Sequence, residues 1–80
     1  MCIVYILFSE RLNRYYIGYS RDLNLRLQQH NTRRVQSTKS GIPWIVVYSE
    51  EHATRQEAYR REQKLKSYKK GEAFKKLIEK

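Results

Sequence analysis

Cys2 is the only cysteine in this 80-residue chain. No internal disulfide can form, and a cysteine-based structural zinc site is excluded with it. A small domain without such staples depends on one well-buried apolar core. The chain therefore reads as a single domain over residues 1–80, with no room for a second. An apolar fraction of 40% is enough to build that core and too high for a disordered basic tail. His30 and His52 are the only histidines, too few for a multi-histidine metal cage. A lone thiol is expected in a reducing cytoplasm. No apolar run is long enough to cross a membrane. The apolar stretch 1–8 has no basic segment before it and no small-residue cleavage site after it, so a secretory signal is not expected.

The core can be traced along the chain. Ile3 to Phe8 form a β-branched and aromatic run that reads as a buried strand. Tyr15 to Tyr19 form a second strand. Asn13 is available for the turn between them, so an antiparallel hairpin is expected. Ser20 or Asp22 can cap a helix running from about Leu23 to His30, with Leu23, Leu27 and His30 on one face. Residues 31–42 are polar and show no period, so they read as a long loop, either a nucleic-acid contact or a solvated connection. Pro43 opens a third strand, Trp44 to Tyr48. The spacing Thr54-Arg-Gln-Glu57 is a capping box, predicting a helix to about Tyr68. A shorter helix over about 71–79 presents Phe74, Leu77 and Ile78. The order β-β-α-β-α-α predicts an α+β fold, a small three-stranded antiparallel-type sheet flanked by helices. Local sequence does not specify the strand order.

Charge narrows the function. Lys and Arg number 17 against 8 Asp and Glu, a formal net charge of +9. Such a balance favours polyanionic partners through counterion release. Arg33, Arg34 and Lys39 in the loop, and Lys64 on the second long helix, are candidate nucleic-acid contacts.

Several residues conflict with a purely structural reading. Ala58, Glu62 and Leu65 recur at i, i+4, i+7, which puts the Glu62 carboxylate in the stripe that should face the core. It must there be paired, hydrogen-bonded, metal-bound or open to a cleft. Arg26 flanks the first helix's apolar face, one turn before His30. Strand alternation sets Tyr15, Ile17 and Tyr19 on one face and Tyr16 with Gly18 on the other. The missing side chain of Gly18 is expected to leave open space beside Tyr16.

This constellation resembles the GIY-YIG nucleases, a family named for two tripeptides on adjacent strands. The first reads Ile3-Val4-Tyr5 here and keeps only its tyrosine. The second, Tyr16-Ile17-Gly18, is intact. Arg26 and His30 match the family's arginine and histidine on the first helix, and Glu62 matches its glutamate on a later helix. Tyr16-Ile17-Gly18-Tyr19-Ser20, Leu27-Gln-Gln-His30-Asn31, Pro43-Trp44 and Ala58-Tyr-Arg-Arg-Glu62 look most like the small single-domain bacterial branch. The likeness covers residues 2–68. It departs from the family at Ile3, where a glycine is usual, and no late site asparagine follows Glu62.

The resemblance implies a metal-dependent endonuclease that hydrolyses phosphodiester bonds of nucleic acid, DNA rather than RNA, with little sequence specificity or with selectivity for structure. It implies one divalent ion, Mg²⁺ or Mn²⁺, with Glu62 as its only protein ligand. Arg26 would hold the scissile phosphate and Tyr5 would act as general base, with Tyr16 orienting water or sharing that role. His30 would support Tyr5. An ordinary tyrosine has a pKa near 10, so such a base needs nearby positive charge or a hydrogen bond. A partner protein could add specificity, and a monomer is the default. The competing expectations are a catalytically weak or inactive nucleic-acid-binding module, for DNA or RNA, acting with a partner, and a small basic structural protein such as one associated with ribosomal RNA.

Overall fold

A strand apolar in all but its last residue suits a position covered on both faces. In the computed structural model, which describes residues 1–67 and 71–78, the first strand, β1 (Cys2–Ser9), takes that position. It is central in a three-stranded antiparallel sheet of order β2-β1-β3, with β2 at Arg14–Ser20 and β3 at Trp44–His52. Helix α1 (Leu23–Asn31) follows β2, a short 3-10 turn (Lys39–Gly41) precedes β3, and α2 (Arg55–Ser67) and α3 (Glu72–Ile78) complete the chain. Tyr68 and Glu79, which the sequence assigns to helix ends, lie outside the described residues.

The alternation of β1 divides the core in two. Cys2, Val4 and Ile6 meet Ile17 of β2 with Ala58 and Leu65 of α2 and Phe74 of α3. Tyr5 and Leu7 point the other way and meet Trp44, with Leu23 and Leu27 of α1 packed against them. Helices α2 and α3 therefore cover one face of the sheet and α1 the other. Truncating a fully buried core residue such as Leu7 or Leu65 to alanine would cost about 2–5 kcal/mol.

Local signals explain the connections. Asn13 adopts φ 52°, the left-handed conformation that asparagine tolerates, and its N–H donates to the Glu10 carbonyl at 3.3 Å. Asp22, not Ser20, caps α1, its carboxylate accepting from the Leu25 N–H at 3.0 Å. Thr54 Oγ1 accepts from the Glu57 N–H at 3.2 Å and starts α2 as the capping box predicts.

Three expectations need correction. Helix α1 runs one residue further than expected, to Asn31. Strand β3 continues past Tyr48 to His52, because pairing with β1 is maintained to Cys2↔His52. A bulge opposite Ile6 and Leu7 places Val47 and Tyr48 consecutively on the α2 face and carries Tyr48, Glu50 and His52 in register there. The polar segment 31–42 is not merely a solvated connection. Thr38 and Gly41 within it are buried. Ser9 Oγ donates to the Gly41 carbonyl at 2.6 Å, and the Trp44 indole donates to the Thr38 carbonyl at 2.7 Å. Asn31 clamps the Trp44 backbone, accepting from its N–H at 2.7 Å and donating to its carbonyl at 3.0 Å. A side chain at residue 41 would come within 2.5 Å of the Trp44 ring, so glycine is required for this approach.

Candidate active site

The register Tyr5↔Gly18 sets the floor of the site. A Cβ on Gly18 would lie 2.7 Å from the Tyr5 hydroxyl oxygen and 3.2 Å from a ring carbon of Tyr16. The space expected beside Tyr16 is thus already filled: the Tyr5 phenol lies across Gly18. The glycine is needed for that close approach, not to leave a cleft.

Helix α1 lays His30 against this phenol. His30 is fully buried. Its Nε2 lies 3.2 Å from the Tyr5 hydroxyl and its Nδ1 lies 2.8 Å from Thr38 Oγ1. The Tyr16 ring meets the imidazole edge to face at 4.9 Å. The Thr38 hydroxyl, within 3.4 Å of the Val35 carbonyl, has a single hydrogen. In the tautomer with its hydrogen on Nδ1, the ring donates to Thr38 and Nε2 accepts from Tyr5. Burial, and then the positive charge of Arg26, lower the His30 pKa to about 4. The ring is neutral at pH 7 and can accept the Tyr5 hydroxyl hydrogen bond.

Arg26 sits half-buried on the same helix face, its Nη1 donating to Gln29 Oε1 at 3.0 Å. It acts on the Tyr5 hydroxyl both as a hydrogen-bonding partner and as a nearby cation, and each effect favours ionisation. Burial is the larger influence. With the negative charges of Tyr16 and Glu62 added, it raises the Tyr5 pKa above its ordinary value. Tyr5 is therefore a neutral phenol at pH 7. The help expected from Arg26 is present but outweighed.

Glu62 is buried between Ala58 and Leu65 on α2, as its spacing predicts. Its Oε1 accepts from Gln63 Nε2 at 3.0 Å and faces Lys66 Nζ at 3.5 Å, while the Lys66 side chain is half-exposed. The Glu62 charge reaches the Tyr5 hydroxyl through space. No group of three or more His, Cys, Asp or Glu among the described residues could form a metal cage. One buried carboxylate with a displaceable lysine partner fits a hard divalent ion that keeps most of its waters and shares substrate oxygens.

Tyr5, Tyr16, Arg26 and His30 thus converge on the α1 face of the sheet, within the field of Glu62. The other basic candidates do not join them. Arg33, Arg34 and Lys39 are exposed beyond the end of α1. Lys64 is exposed, two residues from Glu62, and so lies on the far side of α2. Sequence reasoning missed Thr38, which fixes the His30 ring, and Gln29, which holds Arg26. Asn31 and Trp44 were visible only as part of the family likeness. Thr38 sits in an aperiodic polar segment and had no local signal.

Comparison with known proteins identifies the family. Residues 1–76 match the family described as the GIY-YIG catalytic domain, a span that includes most of α3. The UPF0213 proteins of Staphylococcus aureus strains Mu3 and N315 are each 39% identical to the chain over 54 residues. That alignment covers 66% of this chain and 66% of each relative, so it spans just under two thirds of their length. A solution NMR structure of a UPF0213 protein from Bacillus halodurans is similar at a TM-score of 0.51 and 28% identity, covering 84% of this chain and 72% of that one. The chain belongs to the GIY-YIG family, a nuclease-type family that acts on nucleic acid.

Proposed function

We propose that this GIY-YIG family member is an endonuclease that hydrolyses phosphodiester bonds, in DNA rather than RNA, with selectivity for structure over sequence. The observation that carries the reading is the Tyr5 hydroxyl, held 3.2 Å from a buried, neutral His30 beside the Arg26 cation. A phosphate-binding protein needs the cation but has no use for a phenol coupled to a buried imidazole.

Each residue then has a role. Arg26 binds the scissile phosphate through its planar guanidinium. Burial, and then the Arg26 charge, keep His30 neutral, so it acts as a hydrogen-bonding partner of Tyr5. Tyr5 accepts the proton of the attacking water after releasing its own to solvent; Arg26, with an ion at Glu62, would supply the positive charge the buried phenol needs to ionise, and His30 Nε2 orients the hydroxyl. Thr38 holds the other imidazole nitrogen. Tyr16 orients the water. Glu62 would hold a Mg²⁺ or Mn²⁺ ion, which supplies charge neutralisation for the pentacovalent phosphate and the leaving oxygen. Among the described residues no helix is long and apolar enough to cross a membrane. A cytoplasmic, monomeric enzyme is part of the same proposal.

The test is Mg²⁺-dependent cleavage of labelled single-stranded, duplex and branched DNA by the wild type and by Arg26→Ala. Cleavage that falls at least a hundredfold in Arg26→Ala supports the reading. DNA binding with no cleavage by the wild type, at any Mg²⁺ or Mn²⁺ concentration, would replace it with that of a binding module.

A further inference from the structure

Strand β2 is an edge strand, and its two faces present different chemistry. Tyr16 and Gly18 face the candidate active site. Tyr19 points to the opposite face, where it meets α2. There Tyr19, Arg55, Gln56, Tyr59 and Arg60 line an open groove of about 490 Å³, within the roughly 300–1,000 Å³ usual for ligand clefts. The Tyr19 and Tyr59 rings stand edge to face at 6.4 Å. Tyr59 is 51% exposed and so available to a ligand. Arg55 is electrostatically coupled to the Tyr19 hydroxyl across the groove, and both Arg55 and Arg60 are exposed to solvent. Nothing in the catalytic proposal uses these residues.

The pattern combines aromatic faces with guanidinium groups in a shallow, basic groove. Aromatic rings stack bases of any sequence and arginines follow the phosphates, the usual construction of a single-strand site. A buried duplex base pair offers no free face to stack, so paired nucleic acid gains little from it. The groove also has a fixed relation to the candidate active site. Tyr19 is the residue after Gly18, and Tyr59 is one helical turn before Glu62. A strand leaving the active site has only to pass round the edge of β2 to reach it.

We propose that this groove binds an unpaired nucleotide segment next to the scissile bond, which makes the preferred substrate single-stranded, flapped or branched. The inference deepens the endonuclease reading and rests on it for the location of the scissile bond. The groove's affinity for single strands can be measured without cleavage.

Binding of labelled oligo(dT), oligo(rU) and a short duplex DNA is measured by fluorescence anisotropy with EDTA present, across a salt series. Tyr59→Ala should weaken single-strand binding about tenfold and duplex binding less than twofold, and Tyr59→Trp should restore it. Because Tyr59 is half-exposed, its thermal melt should match the wild type. Arg55→Gln combined with Arg60→Gln should flatten the single-strand salt dependence by about 1.4 in slope, two phosphates' worth. A selective loss with oligo(dT) assigns the site to DNA, and with oligo(rU) to RNA. Unchanged single-strand affinity in Tyr59→Ala overturns the proposal. So does an equal loss for duplex. Failure of the nuclease reading looks different: the wild type would show the selective binding and cleave nothing when Mg²⁺ is added.

Discussion

A tyrosine, a histidine and an arginine meet at two places in this molecule, on opposite faces of one sheet. On the α1 face they are Tyr5, His30 and Arg26. On the α2 face they are Tyr48, His52 and Arg61, and there a fourth residue joins them. Glu50 accepts from the Tyr48 hydroxyl at 2.6 Å and from Arg61 Nε at 2.9 and 3.2 Å, and it also pairs with His52. Burial alone would raise the Glu50 pKa, but these hydrogen bonds outweigh it and hold the carboxyl below its ordinary value. The α2-face cluster has its own internal carboxylate and ties the end of β3 to α2. On the α1 face no carboxylate among the described residues hydrogen-bonds any of the three. Glu62 acts on Tyr5 only through space, and burial, with the Arg26 charge added, depresses His30. The same three residue types hold a fold together when an internal anion neutralises them. On the α1 face the half-buried Arg26 charge is left without such a partner among the described residues, which is what the proposed phosphate contact uses.

Substitutions should separate the two clusters. The largest effect is expected from Glu62→Gln, which keeps the shape and removes the charge. Mg²⁺-dependent cleavage of branched DNA should fall about 10³-fold, with a melting temperature close to wild type. The next concerns acid. The His30 pKa is lowered from 6.5 to about 4 by folding, so the unfolded chain binds the extra proton. Stability is complete above pH 6.5 and declines as pH falls toward 4, by about 3 kcal/mol in all. Glu50, whose pKa is also lowered, adds a further loss as pH falls below its unfolded value of 4.5. Urea titrations at stepped pH should show the first phase disappear in His30→Gln and the second in Glu50→Gln.

At neutral pH, Glu50→Gln should destabilise the protein by about 2 kcal/mol, because charge-assisted hydrogen bonds are lost at a part-buried position. Cleavage per folded molecule should be unchanged, as measured by chemical denaturation beside a rate assay. The smallest effect is expected from Thr38→Val, which matches the shape and leaves His30 Nδ1 without its partner. Cleavage should fall about tenfold, and nitrogen-15 spectra of the imidazole should show a changed tautomer balance.

Much of this was legible beforehand, for identifiable reasons. The β-branched run at Ile3 to Phe8, the capping box at Thr54 and the stripe containing Glu62 are local patterns with a fixed period, and each led to the right element. The candidate site was legible because its residues broke those patterns. Glu62 lies on an apolar stripe, and Gly18 interrupts a strand. The strand order was not legible, since a hairpin followed by a third strand can add to either edge. Nor was the environment of His30, which depends on Thr38 eight residues away through an aperiodic loop, anchored by Ser9 and Trp44. The filling of the Gly18 space by Tyr5 required the β1–β2 register. The α2-face cluster depended on β3 continuing to His52, a consequence of pairing with β1 and not of its own polar sequence.

The central claim is that the α1-face cluster performs chemistry and the α2-face cluster maintains structure. Removing one hydroxyl from each tests it most directly. Tyr5→Phe and Tyr48→Phe are assayed together for Mg²⁺-dependent cleavage of branched DNA, at equal concentrations of folded protein. The account predicts that Tyr5→Phe loses at least a hundredfold in rate while Tyr48→Phe cleaves like the wild type. Full activity in Tyr5→Phe, or an equal loss in both, would contradict it.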